Sequence, residues 1–160
     1  MRIVLYTRRN VGLIALSHLV ALGHDIMVVT DDDNVKWLAE RLGCILVHEQ
    51  NVGSCDYDYI FSAHWHKKIS MKLMPNNNGI NFHPCLSLYK GKDPIAKFIQ
   101  EKQTRGSVSS HVMTNVFDEG EVIHEEYFET GVVNSYSEFY NIAFPYYCKC
   151  IDETLNKILK

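Results

Sequence analysis

Gly79-Ile80-Asn81-Phe82-His83-Pro84-Cys85-Leu86-Ser87-Leu88-Tyr89-Lys90-Gly91-Lys92-Asp93 begins as a strand and ends as a loop. Ile80 and Phe82 alternate with Asn81 and His83. Alternation puts the amide and the imidazole on one face of an extended segment and the apolar pair on the other. Pro84 stops the strand, because it has no amide donor and restricts the residue before it. In open α/β sheets, ligands bind at the C-terminal edge of the strands, where Asn81 and His83 fall. Read alone, Asn-x-His also serves as a strand end with two solvated polar residues.

Upstream of this stretch the chain alternates strand and helix. Residues 2–7 are a nearly continuous apolar run, as in a parallel strand covered on both faces. Arg8-Arg9-Asn10 is a turn, and residues 11–22 carry Leu13, Ile14, Leu16, Leu19, Val20 and Leu22 at helical spacing. Gly23 supplies a C-cap. Residues 25–30 form a second strand. Asp31-Asp32-Asp33-Asn34 reads as helix capping, with a metal site or a ribose-binding acid as other readings. A second helix spans 35–42 and ends at Gly43, a short strand spans 44–47, and 48–55 is a polar loop. The pattern β-α-β-α-β predicts an α/β fold, a Rossmann-like, mostly parallel sheet with helices on both faces. Strand 57–63 is expected beside 2–7, with 79–83 further along. No Gly-x-Gly-x-x-Gly follows the first strand, which argues against a nicotinamide dinucleotide.

Strand 57–63 runs into His64-Trp65-His66-Lys67-Lys68-Ile69. His-x-His in a loop is compatible with a metal, but a zinc site needs third and fourth ligands, and nothing in the spacing fixes them. Two exposed histidines flanking a packed Trp is the structural reading, and no metal is expected. Residues 69–74 suggest a short helix before a turn at 76–79. On the other side of the opening stretch, Asp93-Pro94 starts a helix with Asp at the N-cap and Pro at the first position. Lys90-Gly91-Lys92 is a basic loop, either solvated or a clamp. Residues 106–112 form a strand bearing Ser107, Ser109 and His111. Asp118-Glu119-Gly120 is an ordinary turn by itself. Residues 124–130 make an edge strand, antiparallel to its neighbour. Residues 135–160 are a long helix with one broad apolar stripe and a kink at Pro145.

Composition bounds the function. A length of 160 residues suits one domain, with 46% apolar and 22% charged residues as in ordinary globular proteins. A net charge of −3 gives no reason to expect a nucleic-acid surface. No apolar run approaches the roughly 20 residues of a membrane span, and the N-terminus is too soon interrupted for a signal peptide. Five cysteines without a spacing framework read as reduced thiols in a cytoplasmic protein.

Ile80-Asn81-Phe82-His83-Pro84, Leu86, and Tyr89-Lys90-Gly91-Lys92-Asp93-Pro94-Ile95 resemble the signature of folate-dependent formyltransferases. That family includes phosphoribosylglycinamide formyltransferases, methionyl-tRNA formyltransferases and sugar N-formyltransferases. Its Asp-x-Gly motif has a counterpart in Asp118-Glu119-Gly120, 35 residues after His83. The similarity runs from about residue 57 to the C-terminus, and Cys85 stands where the family has Ser.

The resemblance implies one catalytic domain over residues 1–160 and 10-formyltetrahydrofolate as co-substrate. The acceptor would be a primary amine of a small metabolite, such as a glycinamide ribonucleotide or an amino-sugar nucleotide. Asn81, His83 and Asp118 would be catalytic. Ala63, His64, Trp65, His66, Ile69, Val116, Phe117 and Gly120 would line the folate, on both sides of a cleft between 64–69 and 116–121. Arg8, Arg9 and Asn10 replace the family's Gly-rich phosphate loop, and with Lys90, Gly91 and Lys92 they would meet the acceptor. The arginines read equally as a phosphate grip and as solvated loop residues. His111 has an equivalent in many purine-pathway members and is expected to be a hydrogen-bonded His packed near the site. The chain stops near residue 160, where methionyl-tRNA formyltransferases continue into a tRNA-holding domain, so tRNA is not an expected acceptor. A homodimer stays open. A hydrolase releasing formate and a non-catalytic folate-binding module are the rival readings.

Overall fold

The computed structural model describes residues 1–160. Seven strands form one mostly parallel sheet. In chain order the elements are β1 (Arg2–Thr7), α1 (Arg9–Ala21), β2 (Asp25–Val29), α2 (Asp33–Arg41), β3 (Ile45–Leu46), β4 (Tyr59–Ala63), β5 (Gly79–Pro84), α3 (Pro94–Gln100), β6 (Arg105–Val112), β7 (Val122–Glu129) and α4 (Tyr136–Ile158). The strand order is β3-β2-β1-β4-β5-β6-β7. By internal packing the chain divides into two compact units, Met1–Asn81 and Phe82–Lys160.

The first unit holds the β-α-β-α-β segment, β4 and the start of β5. β1 pairs in parallel with β2 and β4, in the registers Ile3 to Ile26 and Ile3 to Tyr59. Ile3, Val4, Leu5 and Tyr6 are fully buried in succession, as a central strand with two covered faces requires. α1 and α2 both end with a glycine at positive φ, Gly23 at 81° and Gly43 at 72°, the αL residue that closes a helix. The helix starts share one carboxylate. Asp32 is the N-cap of α2 and its Oδ1 accepts from the amides of Asn34 at 3.0 Å and Val35 at 3.3 Å. Its Oδ2 accepts the Arg9 amide at 3.1 Å, at the start of α1, where Arg8 offers no side-chain cap.

Two expectations in this unit change. The polar loop at 48–55 holds a 3-10 helix, Glu49–Ser54, because Val52 is fully buried and draws the backbone inward. The helix expected at 69–74 is only the 3-10 turn Met71–Leu73. A segment that short cannot offset helix nucleation, and Pro75 closes it.

The second unit packs α3 and α4 with β6 and β7. β6 and β7 are antiparallel, with a register shift between Ser110 and His111. Phe98, Phe128 and Phe139 form its aromatic centre, with ring centroids 5.0 Å apart for Phe98–Phe139 and 5.8 Å for Phe128–Phe139. Gly106 lets the rings close in, since a methyl there would lie 2.9 Å from Phe128. Ser135 caps α4 through the Glu138 amide at 3.2 Å. Pro145 sits inside the unbroken helix. Ser110 faces α4, where its hydroxyl lies 2.6 Å from Thr154 Oγ1. Thr154 also lies 2.5 Å from the Cys150 carbonyl, so Thr154 donates to the carbonyl and accepts from Ser110.

That buried hydroxyl pair yields a stability test. Thr154→Val leaves Ser110 without its partner and is expected to cost about 1–3 kcal/mol, read by urea unfolding. Adding Ser110→Ala is expected to cost less than the sum of the two single changes, because both remove one interaction.

Candidate active site

His83 comes from the end of β5. The chain then turns sharply, since Cys85 takes φ 53° and its amide bonds the Ser107 carbonyl at 2.9 Å. The segment 85–93 forms a strap that ends at Asp93, another left-handed residue at φ 60°. Asp93 Oδ1 caps α3 through Ala96 N at 3.4 Å and accepts the Tyr136 hydroxyl at 2.7 Å. Asp118 sits in the turn before β7, also left-handed at φ 57°, a conformation Asp tolerates better than most residues. His83 Nε2 lies 3.3 Å from Asp118 Oδ2. Thirty-five residues of separation are thus closed to an ion-pair distance, with Asp118 only 7% exposed.

The strap completes this contact. The Gly91 amide donates to Asp118 Oδ2 at 2.8 Å, and the Gly91 carbonyl lies 3.4 Å from His83 Nε2. Lys90 pairs with Glu119 at 2.9 Å. Gly91 holds φ 84°, available to glycine without strain. Lys92 is exposed. On β6, His111 Nε2 lies 3.5 Å from Asp118 Oδ1, and His111 Nδ1 lies 3.1 Å from the Val112 carbonyl. Gly120 is obligatory beside this carbonyl, because a methyl on it would lie 1.7 Å from the Val112 oxygen. Asn81 precedes His83 by two residues on β5 and is half-buried.

Burial is the largest influence on His83 and pushes its imidazole below the ordinary value. The Asp118 charge and the Gly91 carbonyl oppose it, His111 reinforces it, and the Pro84 carbonyl opposes it least. The Asp118 carboxylate favours the charged imidazole but does not outweigh desolvation. Burial also works to raise the Asp118 carboxyl, but the His111 contact, the His83 charge and the Gly91 amide prevail and hold it below the ordinary value. The pair at rest is therefore a carboxylate beside a neutral imidazole. Its Nε2–H faces Asp118, and its Nδ1 is buried without a hydrogen bond.

In the first unit, Arg8 does not stand free. Its Nε lies 3.5 Å from Asp31, which also takes His66 at 3.5 Å and Lys67 at 3.6 Å. One carboxylate thus gathers basic side chains from the ends of β1 and β4, and Arg9 and Asn10 remain exposed. Asp31 is therefore not a cap, unlike Asp32. Trp65 packs edge-on against Tyr6, with centroids 5.7 Å apart, and Lys67 Nζ lies over the Trp65 ring, 5.2 Å from its centroid. The Trp65 indole N–H is buried without a hydrogen bond. His64 takes φ 63°, His66 is exposed, and Ala63 and Ile69 are buried. In the second unit, Val116 and Phe117 are 62% and 64% exposed immediately before Asp118. No His, Cys, Asp or Glu cluster forms a metal-binding group, all five cysteines are free thiols, and no helix is long and apolar enough to cross a membrane.

His111 is packed and hydrogen-bonded beside the pair, as expected. Its signal was a His at the end of a Ser-rich strand, seven residues before Asp118. The direct hold of Gly91 on Asp118 had no local signal.

No protein-family model matches the chain, and no curated protein sequence matches it. Solved structures do share its fold. The phosphoribosylglycinamide formyltransferase from Bacillus halodurans superposes with a TM-score of 0.84 at 14% identity, over 100% of this chain and 96% of that one. The N-formyltransferase from Helicobacter canadensis, in complex with folinic acid and dTDP-3-aminofucose, gives 0.77 at 14% identity, over 97% of this chain and 64% of that one. A formyltetrahydrofolate deformylase from Pseudomonas syringae gives 0.82 at 17% identity, over 96% of this chain and 59% of that one.

The electrostatics of the pair predict a pH dependence of stability. Both His83 and Asp118 bind protons more weakly folded than unfolded, so unfolding free energy falls as pH drops. His83 withdraws its contribution as pH falls below about 6.5, and Asp118 does so below about 3.9. Urea unfolding between pH 7.5 and 5 is expected to show a shallower slope for His83→Gln than for the unaltered protein.

Proposed function

We propose that this chain is a formyltransferase that uses 10-formyltetrahydrofolate and a primary amine of a small metabolite, with residues 1–160 acting as one catalytic domain. The observation that carries the reading is the buried His83–Asp118 pair, 3.3 Å apart, with Asn81 two residues before His83 on the same strand. The fold likeness to formyltransferases and a deformylase supports it. The buried, unpartnered Nδ1 of His83 fits a group with a polar reacting atom. Exposed Val116 and Phe117 fit an apolar ring system.

In this reading the amine forms a C–N bond to the formyl carbon, the bond from that carbon to the folate nitrogen breaks, and negative charge develops on the formyl oxygen. The Asn81 amide donates to that oxygen. Asp118 holds the Nε2–H of His83 and so fixes the tautomer in which Nδ1 carries the lone pair. Nδ1 accepts the proton that the attacking amine loses, and Asp118 stabilises the imidazolium so formed. The same proton passes to the departing nitrogen, leaving His83 neutral again. No covalent intermediate on the protein is needed.

Ala63, His64, Trp65, His66 and Ile69, with Val116, Phe117 and Gly120, are proposed to line the folate. Arg8, Arg9 and Asn10 are proposed to meet an anionic part of the acceptor. Arg8 and Lys67 both meet the single Asp31 carboxylate and leave positive charge in excess there, and guanidinium geometry suits phosphate. Lys90, Gly91 and Lys92 are proposed to close over the acceptor.

The test pairs binding with turnover. A non-reactive 10-formyltetrahydrofolate analogue is expected to bind by calorimetry, and the natural donor to lose its formyl group to one of a panel of primary amines. Asp118→Asn is expected to lower turnover by about 100-fold or more with little change in analogue affinity. His83→Ala is expected to lower it at least as much, and the double variant little further, as for groups acting as a unit. Formate release without any amine makes the protein a hydrolase of the same donor. Analogue binding without turnover makes it a binding module, and no binding at millimolar analogue ends the reading.

A further inference from the structure

β6 and β7 carry a further carboxylate, Glu125, and the groups that hold it are hydroxyls. The register sets Ser109 opposite Glu125 and Ser107 opposite Tyr127, and alternation puts all of them on one face of the pair. Ser107 Oγ donates to Glu125 Oε1 at 2.7 Å, and the Tyr127 hydroxyl donates to Oε2 at 2.8 Å. Burial works to raise the Glu125 carboxyl, but the hydroxyls of Ser107, Tyr127, Ser87 and Ser109 prevail and hold it below the ordinary value. The acids around it meet cations instead. Glu119 meets Lys90 at 2.9 Å, Glu126 meets Lys149 at 2.8 Å and Glu129 meets Arg105 at 3.9 Å. Neutral groups keep Glu125 ionised, so its half-buried charge stands uncompensated, an uncommon state for a carboxylate.

Donor and acceptor counting says what such a face binds. A hydroxyl that has given its hydrogen away offers only lone pairs. Ser107 and Tyr127 have both given theirs to Glu125, and the carboxylate itself only accepts. Ser109 is fully buried and its hydroxyl makes no hydrogen bond. It lies near enough to Glu125 to favour the charge without the alignment of a bond. An anion or a carbonyl would meet lone pairs and negative charge here. A hard metal ion takes about six oxygens or more, which is more than these groups offer. An ammonium brings one positive charge and three N–H donors, with no lone pair of its own. It can donate to the remaining lone pairs of Glu125 and to Ser109. Ser87 and Tyr127 are exposed beside the carboxylate, so the face is reached from solvent.

Two residues beyond Ser109 on β6, His111 holds Asp118, roughly 7 Å further along the strand. One small molecule can span that interval. An ammonium held by a carboxylate is favoured in its charged form, and a charged ammonium has no lone pair with which to attack a formyl carbon. The group bound at Glu125 is therefore not the amine that reacts. We propose that Glu125 and Ser109 bind a second, non-reacting ammonium group of the acceptor, which makes a diamine the preferred acceptor class. The ammonium site stands on its own geometry, and its use by the acceptor rests on the proposed function.

Carbon-13 NMR of the glutamate carboxyl groups tests the site without turnover. Methylammonium chloride is expected to move the Glu125 signal, assigned by its absence in Glu125→Gln. Potassium chloride and tetramethylammonium chloride at equal ionic strength are expected to leave it in place, since neither cation donates an N–H. Ser109→Ala is expected to weaken the methylammonium response severalfold, and it assigns the signal if Glu125→Gln does not fold. No response to methylammonium, or an equal response to potassium or tetramethylammonium, overturns the site. Among amines that accept formyl, the kcat/KM preference for an α,ω-diamine over the monoamine of the same length is expected to fall about tenfold or more in Glu125→Gln, as for a lost charge-assisted hydrogen bond. An unchanged preference overturns the use of the site by the acceptor. If no amine accepts formyl but methylammonium moves the signal, the functional reading fails and the ammonium site stands.

Discussion

The Asp118 carboxylate is the constraint on which the second unit depends. It is nearly buried, and a buried carboxylate stays ionised only when donors surround it. Its donors come from three separate segments: His83 from the end of β5, Gly91 from the strap and His111 from β6. Each segment must be bent to deliver its group. Cys85, Asp93 and Asp118 all adopt positive φ without being glycine, at a cost of order 1 kcal/mol each or more. Gly120 must be bare so that the turn can lie against Val112. The strained positions bracket the site, as expected where one fully paired charge over-determines the local backbone.

The first unit uses adjacent aspartates for different work. Asp32 joins the starts of α1 and α2 through its two oxygens. Asp31 collects Arg8, His66 and Lys67. All are partly exposed, so these pairs hold side chains in place more than they stabilise the fold. The arrangement presents positive charge at the ends of β1 and β4 while fixing where it lies.

The fold was legible because its signals are local. Continuous apolar runs marked β1 and β2, and Gly23 and Gly43 marked helix ends. Asp93-Pro94 marked the start of α3, although the left-handed backbone of Asp93 left no trace in the pattern. The contact between His83 and Asp118 was implied by the family resemblance of their two motifs. The sign of the effect on His83 could not, since it turns on how deeply the ring is buried, a tertiary quantity. His111 was expected near the site from the resemblance, whereas alternation alone groups it with Ser107 and Ser109, and the register shift and the turn bring it to the carboxylate. Arg8 and Arg9 read equally as a phosphate grip and as loop residues, because the partner of Arg8, Asp31, lies beyond a helix and a strand.

The Gly91 amide gives the strap a property beyond closure. Because that N–H is one of the bonds that keep Asp118 ionised, strap position and proton occupancy are thermodynamically linked. Whatever lifts Gly91 away must raise the affinity of the carboxylate for a proton. By reciprocity, protonating the carboxylate must loosen the strap by the same free energy. Acid and strap opening therefore act as mutual effectors, with no second binding site required.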